Sequence, residues 1–115
     1  MKSISRIFVI GIVLIICSQF CVADFYNGNE LYSLWKEYKK GEDGLKYNPV
    51  DSTFYMGYIA GTVDEMDHLL SLPPNVTLGQ LCRIVGKYLD DNPNFHQLSA
   101  SILIWTPIYI AFNKK

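Results

Sequence analysis

A chain of 115 residues, half of them hydrophobic and with a net charge of −1, has room for one small domain. It lacks the basic excess that nucleic acid demands, and no run of Lys or Arg marks it for an anionic membrane surface. The first 23 residues read as an export signal. Lys2 and Arg6 give a positive start, residues 7–17 are an unbroken apolar run, and Cys21-Val22-Ala23 offers the small side chains a signal peptidase needs. That run falls short of the about 20 apolar residues of a membrane span. An uncleaved signal anchor is the competing reading. Ile15-Ile16 before Cys17 does not suit lipoprotein processing. Cleavage after Ala23 would leave residues 24–115 as one domain outside the cytoplasm, with eight basic side chains against eleven acidic ones, a net charge of −3.

Export removes Cys17 and Cys21, so of three cysteines only Cys82 stays, and no internal disulfide can form. The remaining thiol is either buried as a small apolar side chain or bonded to another chain. His68 and His96 stand at no ligand spacing from Cys82, so neither a metal site nor a cofactor is expected.

The mature segment predicts four helices and no strand, an all-α bundle. Asn27 and Glu30 fit a capping box, followed by Leu31, Leu34, Trp35 and Tyr38 at helical spacing; Lys39-Lys40-Gly41 ends this first helix. After a loop over residues 41–51, Ser52 caps a second helix that runs to about Leu70, with Tyr55, Ile59, Val63, Met66 and Leu70 on one face. Gly57 and Gly61 inside it cost about 1 kcal/mol each against alanine. Close approach by another helix across that smooth strip is the expected compensation; a poorly optimised helix is the plainer one.

Pro73-Pro74 stiffens the next turn. Thr77 and Gln80 form a second capping box for a third helix whose apolar stripe includes Leu78, Leu81, Cys82, Val85, Tyr88 and Leu89. Asp90-Asp91-Asn92-Pro93 stops it. The final helix, from about Phe95 to Phe112, is apolar on every side, which places it centrally or in a subunit interface, with Pro107 breaking its hydrogen-bond ladder at Leu103.

No catalytic set emerges. Cys82 falls on a buried stripe, and neither histidine lies in a recognisable local motif. Asp64, Glu65 and Asp67 do not follow a calcium-loop pattern; they read as a solvated acidic face or as a partner-recognition surface. Asp90 and Asp91 sit where a helix dipole disfavours negative charge, a hint of a basic partner. Asn75-Val76-Thr77 matches a glycosylation sequon, but a turn followed by a helix cap accounts for the same residues.

Several segments in order carry a resemblance. The stretch Phe25-Tyr26-Asn27-Gly28-Asn29-Glu30-Leu31, then Gly57-Tyr58-Ile59-Ala60-Gly61 with Val63-Asp64, resembles the Rap/Tai immunity proteins of type VI secretion. Residues 74–81, Val85, Lys87-Tyr88-Leu89, Asn92-Pro93, Ser99-Ala100 and Ala111-Phe112 continue that likeness over nearly all of the mature chain. The resemblance implies a small exported helical homodimer that protects a bacterium from peptidoglycan-cleaving amidase toxins by plugging a papain-like active site. Family members often carry cysteines where this chain has Ser52-Thr53-Phe54, Leu70-Ser71-Leu72 and Phe112-Asn113-Lys114. Each missing bridge forfeits about 2–4 kcal/mol, which packing or dimerisation must supply.

The reading is therefore a periplasmic stoichiometric inhibitor, not an enzyme, without nucleic-acid or membrane contacts once processed. Its expected toxin-facing set is Asp64, Glu65, Asp67 and His68, with the turn formed by Leu72, Pro73, Pro74 and Asn75. A periplasmic acid-stress chaperone or general binding module is the alternative, and a membrane-tethered subunit would require the export segment to be retained.

Overall fold

The computed structural model describes residues 26–113. The expected export signal, its cleavage point and Phe25 lie outside the described residues. Four helices follow in order: α1 (Gly28–Glu42), α2 (Pro49–Glu65), α3 (Leu78–Asp91) and α4 (Ala100–Asn113). Short 3-10 turns at Asp67–Leu69 and Pro93–Phe95 lie in the second and third connections. Among the described residues no helix is long and apolar enough to cross a membrane.

Both predicted capping boxes form. The Asn27 side chain accepts from the Glu30 amide at 3.1 Å, and the Thr77 hydroxyl accepts from the Gln80 amide at 3.2 Å. Glu30 and Gln80 accept in return from the cap amides, satisfying backbone donors that a helix start leaves orphaned.

Four boundaries differ from the sequence expectation; one is the start of the last helix, which lies at Ala100 and not near Phe95, because Pro93–Phe95 forms a separate 3-10 turn. Helix α1 runs one residue past Gly41. Gly44, at φ 73°, is the left-handed residue that ends it: the Leu45 amide donates to the Lys40 carbonyl at 2.9 Å and Gly44 to Gly41 at 3.3 Å. Helix α2 starts at Pro49, not after Ser52. Asn48 caps it through the Val50 and Asp51 amides, and proline at the first helical position loses no bond. The same helix stops at Glu65, short of Leu70. Glu37 accepts from the Asn48 amide at 3.0 Å and from Lys40 at 2.7 Å, which ties the α1–α2 loop down and holds the Glu37 carboxyl below its usual range.

The core is one cluster drawn from all four helices. Leu31, Trp35 and Tyr38 of α1 meet Tyr55, Ile59 and Val63 of α2, then Leu81, Cys82, Val85 and Leu89 of α3. Helix α4 adds Ala100, Leu103, Ile104 and Ile108. Trp35, Tyr38 and Tyr55 form an aromatic trio with ring centroids 5.3–5.9 Å apart. The Tyr55 hydroxyl, buried among them, donates to the Cys82 carbonyl at 2.7 Å, so no polar atom of that ring is stranded.

Two glycines permit contacts that nothing larger would. At Gly86 an added Cβ would overlap the Trp35 indole ring. At Gly28 it would lie 2.6 Å from the His96 carbonyl oxygen. There the start of α1 pairs with the approach to α4: Gly28 donates to Leu98, Asn29 to His96 and Ala100 to Tyr26, each at 2.9–3.0 Å, around an antiparallel bridge between Asn27 and Ser99. Pro107 sits buried within α4, which continues through it to Asn113. One flank of α4 faces outward, with Ile102, Tyr109 and Ile110 about half exposed, so the helix is not enclosed on every side within the chain.

Among the described residues, the expected approach of a second helix to Gly57 and Gly61 does not occur. A Cβ on either would meet nothing within 4 Å.

The two kinds of glycine environment separate by stability. Gly86→Ala is expected to destabilise the fold by about 1–3 kcal/mol through overpacking against Trp35. Gly79→Ala, whose nearest neighbour would lie at an ordinary 3.7 Å, should cost nothing. Urea unfolding midpoints of the two variants check this; equal midpoints would contradict the packing described.

Candidate partner-binding surface

The eight residues singled out in sequence fall on one continuous connection between α2 and α3. Asp64 and Glu65 are exposed in the last turn of α2, Asp67 and His68 are exposed in the 3-10 turn that follows, and Pro73, Pro74 and Asn75 stand exposed before the Thr77 cap. Leu72 differs: it packs against the core and serves as an anchor.

This connection is braced from beneath. Leu70 is buried, the Ser71 amide donates to the Asn113 side chain at 3.2 Å, and Val76 packs on the core while its amide donates to the Pro73 carbonyl. The exposed tip therefore spans a few residues between fixed points, with two prolines limiting its backbone. A segment so held loses little conformational entropy on docking.

Beside the tip lies an open groove of about 410 Å³, walled by Pro73, Asn75 and Val76 on one side and by Gln80, Arg83, Ile84 and Phe112 on the other. The α3 and α4 residues were not singled out from the sequence. Gln80 and Arg83 share a helix side at i, i+3, the one signal that could have found them. Arg83 is turned toward Glu42, donating at 3.2 Å, so its charge is partly matched at home. The edge from Asp64 to Asp67 carries three carboxylates with no basic side chain but His68 among them.

Other candidates resolve into structural roles. Asp90, expected to hint at an external basic partner, has internal ones: its carboxylate accepts from Trp35 Nε1 at 3.1 Å and lies 3.8 Å from Lys39 Nζ. His96 is buried, with Nε2 2.8 Å from the Leu89 carbonyl oxygen and its ring against Tyr32. Cys82 is fully buried and free, and burial, reinforced by the Glu42 charge, pushes its thiol up to about 11. Such a thiol is a poor nucleophile at neutral pH, since only the thiolate reacts. Among the described residues no three His, Cys, Asp or Glu side chains converge to hold a metal ion.

The buried acids set a limit on the alkaline side. Burial raises Cys82, and it raises Tyr55 and Tyr38 above the usual phenol range, with Tyr38 raised further by its bond to Glu42. The folded state holds these protons more tightly than the unfolded chain does. Stability is thus intact below the ordinary thiol value of 9.0 and falls as pH climbs above it. Urea midpoints should stay level to about pH 8.5 and drop progressively above pH 9. Cys82 should also resist a thiol reagent in the native state and react once the chain is unfolded; rapid native labelling would contradict its burial.

In comparison with known proteins, the model of the Rap1a immunity proteins matches residues 27–113. Neither the curated proteins nor the solved structures yield a match to the chain.

Proposed function

The chain belongs to the Rap1a immunity protein family, and on that premise we propose that it is an exported, stoichiometric inhibitor of a type VI secretion toxin. In this reading it acts in the periplasm, after loss of residues 1–23, on a peptidoglycan-cleaving amidase delivered by sibling cells. It is a homodimer and turns over no substrate. The observation that carries the reading is the coincidence of a family match over residues 27–113 with a braced, exposed acidic edge on the same domain.

Inhibition works by occlusion. The tip formed by Pro73, Pro74 and Asn75 enters the cleft of the toxin, while Asp64, Glu65 and Asp67 meet basic side chains on the rim. Because the tip is already held by Leu70, Leu72 and the Ser71–Asn113 bond, most of the contact energy appears as affinity instead of being spent on ordering. The carboxylates act chiefly on association, since exposed charges steer encounter and are screened by salt.

The test uses the toxin encoded beside this gene. Purified mature protein should abolish its peptidoglycan-cleaving activity at one equivalent. Reversal of Asp64 and Glu65 to lysine should slow association about tenfold or more at low salt, with less difference at high salt. Full toxin activity in the presence of excess wild-type protein would overturn the proposal.

A further inference from the structure

The groove beside the Pro73–Asn75 tip has a composition that selects its occupant. Its floor is apolar: Val76, Ile84 and Phe112 are half-buried and pack on the core. Its polar wall offers donors. The side-chain oxygen of Gln80 is engaged by the Thr77 amide at 2.8 Å, which leaves Nε2 as the end still to be bonded. Arg83, on the same side of α3, is the one charged residue among those lining the groove. Its side chain is 54% exposed and gives Glu42 only Nη1, at 3.2 and 3.4 Å, so Nη2 and Nε have no partner among the described residues. Glu42 keeps a second donor, the Tyr38 hydroxyl at 2.7 Å, however Arg83 is engaged.

We propose that this groove receives an acidic segment of the toxin: a carboxylate bonds to Arg83 and Gln80 while the apolar side chain beside it lies on Val76, Ile84 and Phe112. The inference rests on the inhibitor reading and names the chemistry of the partner. Pro73, Asn75 and Val76 belong both to the tip's connection and to the groove, so a toxin whose cleft takes the tip lays one wall of that cleft over the groove. Charge then chooses what that wall carries. The exposed pair of Arg83 with Glu42 contributes little by itself. A toxin carboxylate enclosed between guanidinium, amide and apolar floor is shielded from water, and a planar guanidinium holds it through paired N–H groups. The toxin accordingly carries charges of both signs around its cleft, basic ones facing Asp64, Glu65 and Asp67 and an acidic one facing Arg83. That pattern fixes the docking orientation, because the reversed one sets like charges together.

The experiment measures the dissociation constant of the mature protein and the toxin encoded beside this gene, at fixed salt. Arg83→Gln should weaken binding about tenfold or more. Arg83→Glu should weaken it further, because a carboxylate then meets a carboxylate. Glu42→Gln removes the same internal ion pair but keeps the cation and an acceptor for Tyr38, and it should stay within about threefold of wild type. Ile84→Ala should weaken binding several-fold by opening the floor. Arg83 and Glu42 are both exposed, so their variants should fold, and urea midpoints verify this. Equal losses for Arg83→Gln and Glu42→Gln would reduce Arg83 to a structural role. Binding by Arg83→Glu as tight as by Arg83→Gln, or tighter, would rule out an acidic occupant. Either result overturns this inference and leaves the inhibitor reading standing. A wild-type protein that does not bind the toxin overturns both.

Discussion

Trp35 lies where Gly86 leaves α3 bare, and the rest of the domain is arranged around that contact. Its indole packs into the gap, its Nε1 donates to Asp90 at the end of α3, and its ring belongs to the trio with Tyr38 and Tyr55. Tyr55 in turn brings α2 onto the same part of α3 through the Cys82 carbonyl. Three helices are thereby fixed by one aromatic cluster whose polar atoms are all bonded. With Cys82 free and no disulfide among the described residues, the bundle needs such a joint, because close packing with satisfied hydrogen bonds must hold what cross-links hold elsewhere.

The consequences reach the candidate surface. With α2 and α3 locked, the connection between them has fixed ends, and the buried Leu70 and the packed Leu72 and Val76 shorten its free length further. Helix α4 contributes from below through Asn113, while its own start is held by the pairing of residues 26–29 with 96–100. The opening motif around Asn27 and Gly28 is therefore a structural clamp: Gly28 has no room for a side chain, and Asn27 both caps α1 and bridges to Ser99. Stiffness at the tip is a property of the whole bundle, not of its two prolines alone.

Much of this was legible in the sequence where the signal is local. The boxes at Asn27–Glu30 and Thr77–Gln80 mark two helix starts because the partners are three residues apart, and the stripe through Leu81, Val85 and Leu89 marks the buried side of α3. Signals that depend on tertiary partners were misread. Asn48-Pro49 looked like loop because either residue favours turns, although together they make a cap and a first helical residue. Asp90 looked unsatisfied because Trp35, 55 positions away, supplies its bond. Gly57 and Gly61 suggested a neighbouring helix, and none approaches them among the described residues. Of the surface, the connection itself could be read off, whereas the groove wall formed by Arg83, Ile84 and Phe112 depends on how α3 and α4 meet.

The central claim is that the connection from Asp64 to Asn75 is what the toxin meets. Hydrogen–deuterium exchange of the mature protein, alone and bound to its toxin, tests this most directly. The account predicts slowed exchange concentrated in the amides of residues 64–76 and little change in the rest of the bundle. Protection confined to other surfaces while the toxin is fully inhibited would contradict it.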